Sequence, residues 1–435
     1  MSSLNDNPPA QQPLFKLSPQ RCWYIVGLIS TVALINYFDR QSLSVVAPRF
    51  QAELHLSDAG YGHVVSLFLL ASAFSYAVAG FLTDWLGTRA SMALFVGWWS
   101  LAEAVTAFVR TVPQLAAARF CLGLGEPGLW VAAPKAVGEI FPKKDHALAI
   151  GVYTLGSTVG AVAALPAIAA ITTHLPWKWV FILDGCVGLL WLPFWLQAYP
   201  KRKRQAALDA QSRAAQSTTP RVSQGTLLKD VLSHSKTWKF MIARGITDPV
   251  WFFYLFWFPK YLLSARGLTL AHVASIGWLV YLFAGVGTLL GGLVSGWLIR
   301  SGFVPALAYR RTMLLCAVLL PLSPLAGLVP SALIGVCIAS LIALAHMAWL
   351  VTLSSAVIDL FPSAEVGKAF GLIAAGSAFG GMISTEIVAY TVMHYGYLPL
   401  FFLMMFLHPA ALLMLWTTFN EKVAAMDSLT LSAPQ

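Results

Sequence analysis

The chain has 435 residues, of which 58% are hydrophobic and only 11% charged, and its mean hydropathy is +0.71; these proportions exclude a soluble protein of two or three globular domains. The formal net charge of +10 does not point to nucleic acid, because the basic residues collect in short segments between apolar runs, as membrane orientation requires. Cys22, Cys121, Cys186, Cys316 and Cys337 lie within or beside those runs at no metal-ligand spacing, so they read as small packing residues and neither disulfides nor a metal site is expected.

Residues 1–21 are polar and proline-bearing, with no basic-then-apolar leader pattern, and are expected to be a cytoplasmic tail. Apolar runs then follow at about 22–47, 60–83, 90–110, 113–138, 146–172, 178–199, 241–264, 271–299, 312–330, 332–358, 367–393 and 397–419. About 20 apolar residues suffice to cross a bilayer, so the expectation is twelve spans. Arg89, Lys143, Lys144, the run Lys201–Arg204, Arg300, Arg310, Arg311 and Lys368 all fall on one side of this arrangement, which predicts cytoplasmic termini. The one long hydrophilic stretch, 200–240, separates a first bundle (22–199) from a second (241–419), and 420–435 is expected to be a second cytoplasmic tail.

The halves echo each other. Val137-Gly138-Glu139-Ile140-Phe141-Pro142 matches Val357-Ile358-Asp359-Leu360-Phe361-Pro362, and Gly151, Gly156, Ser157 and Gly160 match Gly371, Gly376, Ser377 and Gly380, all at an offset of 220. Such an ungapped match is what a duplicated six-helix unit leaves. The fold class is therefore an all-α membrane protein with twelve transmembrane helices in two pseudo-symmetric six-helix bundles. The glycines are expected to let the fifth and eleventh spans approach neighbours closely, either in sliding contacts between the bundles or in ordinary packing within the membrane.

Charged residues inside apolar runs mark the candidate site. Asn36-Tyr37-Phe38-Asp39-Arg40 sits in the first run and Ala118-Arg119 through Glu126-Pro127 in the fourth. Arg119 and Glu126 are seven residues apart, about 10.5 Å along one helix face. An ionised side chain at the bilayer centre costs at least ~2.5–3.5 kcal/mol, so such residues face a bundle interior and carry function. A guanidinium binds a carboxylate through two parallel hydrogen bonds and stays charged, whereas a carboxylate can take up a proton. Neighbouring helical residues diverge by about 100°, which disfavours Asp39 and Arg40 as a mere mutual ion pair, though a fixed structural pair is the competing reading. His346, at Glu126 plus 220, either exchanges a proton or hydrogen-bonds a hydroxyl, or is a packing histidine. Asp248 precedes Pro249 and competes as a backbone partner at a helix break, while Glu103 and Glu386 read as structural.

Gly80-Phe81-Leu82-Thr83-Asp84-Trp85-Leu86-Gly87-Thr88-Arg89 resembles the loop signature of the major facilitator superfamily, with Trp85 and Ala90 departing from it. The stretches at 36–40 and 118–127, together with Thr247-Asp248-Pro249-Val250-Trp251-Phe252-Phe253-Tyr254, Trp257-Phe258-Pro259-Lys260-Tyr261 and Ala345-His346, resemble the anion:cation symporter family, which includes bacterial hexuronate and galactonate transporters; the hexuronate branch is most similar. The resemblance implies the major facilitator fold and proton symport of an organic anion by a monomer in the bacterial inner membrane, with the lipid bilayer as its only large partner and no cofactor. It implies that Arg40 and Arg119 hold the substrate carboxylate, and that Asp39 and Glu126 couple protons. Asp84 and Arg89 are assigned a gating role, and Tyr37, His346, Trp251, Tyr254 and Trp349 are candidates for the rest of the cavity wall.

The substrate stays open between a sugar acid and an aromatic or short aliphatic acid, partly because no Asn or Gln occurs from Met241 to Phe419 to read hydroxyls. Exchange of one anion for another without a proton is the alternative mechanism. No nucleophile elbow or phosphate-cradling loop supports an enzyme.

Overall fold

In each half of the molecule one helix is interrupted next to a proline, and both interruptions lie at mid-depth. A computed structural model describes residues 15, 17–142, 145–201, 231–361 and 366–431, without the side chains of 77, 84, 146, 147, 366–368 and 421–431. Most of the 200–240 segment, Lys143, Lys144 and the side chains of Asp84 and Lys368 therefore lie outside what is described.

The first half contains α1 (Pro19–Leu54), α2 (Asp58–Leu86), α3 (Thr88–Thr106), α4 (Val112–Gly125), α5 (Pro127–Ile140), α6 (His146–His174) and α7 (Lys178–Ala198). The second contains α8 (Ser235–Thr247), α9 (Pro249–Phe256), α10 (Phe258–Ser264), α11 (Leu270–Ile276), α12 (Trp278–Arg300), α13 (Pro305–Leu319), α14 (Ser323–Leu328), α15 (Ala332–Leu360), α16 (Val366–Tyr395) and α17 (Leu398–Leu431). Ser18, Ser57, Thr111 and Ser331 cap helix starts by accepting a hydrogen bond from a backbone N–H two or three residues into the helix.

Among the described residues, nine stretches are long and apolar enough to cross a membrane on composition alone: α1, α2, α6, α7, α11–α12, α13–α14, α15, α16 and α17. The other three spans of the twelve are α3, α4–α5 and α8–α10, which carry the buried charges or the breaks. Pro127 and Pro249 lack an N–H, so the ladder stops at Glu126 and Asp248, and the chain resumes as α5 and α9. The sequence expectation drew each of these as one unbroken run. At the chain ends, α8 begins inside the expected linker and α17 continues past 419, where a tail was expected.

Two sets of helix contacts repeat across the halves. A Cβ on Gly156 would lie 2.0 Å from Ser30 O and one on Gly160 2.2 Å from Leu34 O, so α6 lies backbone-to-backbone against α1. Gly376 meets Met241 O at 2.6 Å and Gly380 meets Gly245 O at 2.1 Å in the same way, placing α16 against α8. These four glycines of the 220-residue repeat fasten helices within each half, which is the packing reading and not the sliding contact between bundles. The halves touch along α2 and α16 and along α6 and α12.

At the side opposite Arg89 and Arg300, side chains bridge the halves. Lys260 Nζ donates to Asp58 Oδ1, Tyr61 Oη donates to Phe256 O at 2.5 Å, His63 Nδ1 lies 2.7 Å from Glu386 Oε2, and Ser66 Oγ donates to Met382 O at 3.2 Å. Glu386 is thus a cross-half partner. The structure is closed at this end.

Because Gly156 has no room for a methyl group and Gly151 has open space around it, Gly156→Ala is expected to lose ~1–3 kcal/mol of stability and Gly151→Ala none. Thermal unfolding of the detergent-solubilised protein, followed by size-exclusion chromatography, separates the two; equal melting temperatures would show that α1 and α6 are not in backbone contact.

Candidate functional site

Breaking α4–α5 at Glu126 places a carboxylate at the junction of two helices, where it turns toward α1. Arg40 Nε donates to Glu126 Oε2 at 2.6 Å, with the Glu126 side chain fully buried and that of Arg40 11% exposed. The Arg40 guanidinium also sits 5.6 Å from the Tyr37 ring centre and 5.8 Å from that of Phe68.

Arg40 faces a cavity of ~160 Å³ between the halves. From the first half Tyr37, Ser72, Tyr76 and Trp130 line it; from the second half Arg244, Asp248, Trp251, His346 and Ser377 do. The volume falls below the ~300–1,000 Å³ of drug-sized sites, which fits one metabolite-sized ligand. Trp251 stacks on His346 with ring centres 6.4 Å apart, and His346 Nδ1 lies 3.1 Å from His408 Nε2. Arg244 Nε and Nη2 both reach Asp248 Oδ2, at 2.9 and 2.7 Å.

Arg119 lies elsewhere. It is 2% exposed, its Nη2 is 3.0 Å from Glu103 Oε2, and its guanidinium sits 5.0 Å from the Phe181 ring centre. Arg119 borders a second, much smaller space of ~10 Å³ with Arg40, Glu126, Phe68 and Phe256, and does not line the larger cavity. Its pairing with Glu103 is a charge contact that misses hydrogen-bond alignment. Carboxylate oxygens of Asp39, Glu103 and Asp184 lie within 4.8 Å of one another, all buried. That spacing would suit a cation, and Arg119 already supplies a positive charge beside Glu103.

Adjacent residues thus serve different places: Arg40 faces the cavity while Asp39 faces the Asp184–Glu103 group behind it. Of the other sequence candidates, Tyr37, Trp251 and His346 line the cavity, whereas Tyr254 and Trp349 are fully buried and lie outside its lining. Tyr254 accepts a hydrogen bond through its carbonyl from Tyr281 Oη, and Trp349 packs edge-on against His408. Arg89 Nε donates to Tyr199 O at 3.1 Å and the guanidinium also reaches Leu196 O, both within the first half.

Sequence reasoning missed Arg244, Asp184 and His408 and set Glu103 aside as structural. The signal was available for the two acids: a carboxylate in an apolar run carries the same insertion cost that singled out Arg119.

Membrane-spanning helices in two related halves, a cavity between them at mid-depth and closure at one end define a membrane transporter. The sequence profile described as Major Facilitator Superfamily matches residues 29–385, and the chain belongs to that family. It is a transporter and not an enzyme. The chain is 28% identical over 431 residues to the hexuronate transporter of Escherichia coli (strain K12), covering 95% of this chain and 98% of that one. It is 28% identical over 318 residues to the galacturonate transporter of Dickeya chrysanthemi, covering 72% and 92%. The crystal structure of a D-xylose-proton symporter superposes with a TM-score of 0.68 at 15% identity, covering 90% and 97%, and shares the fold.

Removing the Asp58–Lys260 bridge should loosen the closed end. Ser66→Cys, placed in a background lacking the five native cysteines, is a buried reporter at that end. Adding Lys260→Gln is expected to speed its maleimide labelling by at least about threefold to tenfold, because Lys260 is buried and Asp58 only a third exposed. Unchanged labelling would mean that the bridge does not hold the halves together.

Proposed function

We propose that this transporter carries a sugar acid, a hexuronate or aldonate, together with protons through a bacterial inner membrane, as a monomer of the anion:cation symporter family with both termini in the cytoplasm. The observation that carries the reading is the Arg40–Glu126 ion pair, 2.6 Å long, in which Arg40 lines a cavity between the halves and Glu126 borders the small space behind it. The names of the hexuronate and galacturonate transporters that this chain resembles along most of its length support the substrate class.

In this mechanism the substrate carboxylate takes Glu126's place on the Arg40 guanidinium. Breaking a buried pair outright costs ~3–5 kcal/mol because it strands a charge. Exchanging one carboxylate for another avoids most of that cost, and the released Glu126 takes a proton instead of remaining a lone buried anion. Asp39 serves the second half of the coupling. Together with Glu103, Asp184 and Glu126 it makes four acids around Arg40 and Arg119, so two have no guanidinium of their own and protons can balance them. Arg119 acts from behind Arg40, holding Glu103 and biasing this group. Tyr37, Trp251 and His346 line the pocket, and Asp84 and Arg89 act at the opposite gate. Each proton entering down a 100 mV potential contributes ~2.3 kcal/mol and each carboxylate carried in offsets as much, so equal numbers of the two leave the pH difference as the drive.

The test is uptake of labelled glucuronate into proteoliposomes with and without an inward proton gradient. Wild type is expected to accumulate it with the gradient; Arg40→Ala should lose at least about a hundredfold in kcat/KM. Glu126→Gln should retain exchange of glucuronate and lose gradient-driven accumulation. Exchange by wild type that ignores pH would remove the proton from the mechanism, and accumulation confined to aromatic or short aliphatic acids would remove the sugar acid.

A further inference from the structure

We propose that the preferred substrate is a sugar diacid, an open-chain hexarate, held at one end by Arg40 and at the other by Arg244. This deepens the reading above and rests on Arg40 holding a carboxylate.

Arg244 lines the same cavity as Arg40 but belongs to α8 of the other half, so the two guanidiniums approach from opposite walls. Each is held by an acid of its own half at a helix break, Arg40 by Glu126 and Arg244 by Asp248. Asp248 spends only one oxygen on Arg244; its Oδ1 is buried without a partner. A pair serving only to mend the break before Pro249 would not need to line the cavity.

The rest of that wall offers few groups to hydroxyls. The second half has no amide side chain from Met241 to Phe419, and His346 Nδ1 is engaged with His408, which leaves its unpartnered Nε2 and the Ser377 side chain. The charged donor of the wall is a guanidinium, whose parallel N–H groups match a carboxylate. A ligand with a carboxylate at each end satisfies both walls.

The charges also balance. Each incoming carboxylate replaces one resident acid on its arginine, and each displaced acid, Glu126 and Asp248, takes one proton. Asp39 and the acids beside it pass protons on without adding to the count, so one dianion enters with two protons and the net charge moved is zero.

Proteoliposomes of the full chain, supplied with labelled D-glucarate or D-glucuronate, test this. Wild type should accumulate glucarate with a kcat/KM at least about tenfold above that for glucuronate, driven by a pH difference and indifferent to a valinomycin-set potential. Unlabelled glucarate should outcompete glucuronate. Arg244→Gln should cost glucarate at least about thirtyfold and glucuronate clearly less, so the preference inverts; Arg244→Lys, which keeps the charge, should fall between. Glucuronate accumulation with no competition by glucarate would overturn the diacid and leave the sugar-acid symporter standing, and so would an equal loss of both substrates in Arg244→Gln. Accumulation of neither acid by wild type would overturn both readings.

Discussion

A carboxylate buried in a membrane helix is tolerated only where something positive meets it, and the contact between Glu126 and Arg40 meets that need at the point where the fold turns. Glu126 keeps helical backbone angles, φ −56° and ψ −43°, just before Pro127, and its side chain reaches Arg40 on α1. The same contact fixes the position of Arg40 between Tyr37 and Phe68, and so gives the cavity its cationic wall. Substituting an apolar pair of similar volume would cost little stability. Packing alone does not account for two charges here, and the exchange of carboxylates proposed above does.

Behind this contact the charges are unevenly matched. Arg119, nearly inaccessible and beside Glu103, has Asp39 and Asp184 as further neighbours. The large and small cavities share Arg40 and Phe68, while only the small one reaches Arg119. A ligand arriving at Arg40 changes the field felt by the acids one layer further in without touching them. In the proposed symport this layer stores protons, and Arg40 links it to the substrate.

The twelve spans and their duplication were legible because a run of apolar residues and an ungapped repeat survive as linear patterns. Asp39, Arg40, Arg119 and Glu126 were legible for the same reason, as charges where lipid forbids them. Their partners were not. Arg119 and Glu126 share one face of an ideal helix, yet each pairs with a residue on a different helix, Glu103 on α3 and Arg40 on α1, because pairing is decided by interhelical packing. Arg244 was passed over because it lies three residues into its run, near the expected start at 241, where an arginine reads as a snorkelling end residue. The structure begins α8 at Ser235 and so carries Arg244 inward. The repeat glycines were found, but the choice between packing and sliding contacts stayed open: a small residue shows that a close approach exists and leaves open which neighbour approaches.

Where the molecule can move follows from the sizes of these interactions. The glycine contacts of α6 with α1 and of α16 with α8 bring backbone against backbone, and such surfaces resist sliding because any shift creates clashes or voids. Each half is therefore stiff. The cross-half bridges differ. The His63–Glu386 pair is exposed on both sides, and pairs of that kind contribute ~0–1 kcal/mol. Asp58 is a third exposed, but its partner Lys260 is buried and so is Tyr61, which makes those two bridges the firmer part of the closed end. The two halves should then turn as units about the cavity, with the bridge at Glu386 giving way first.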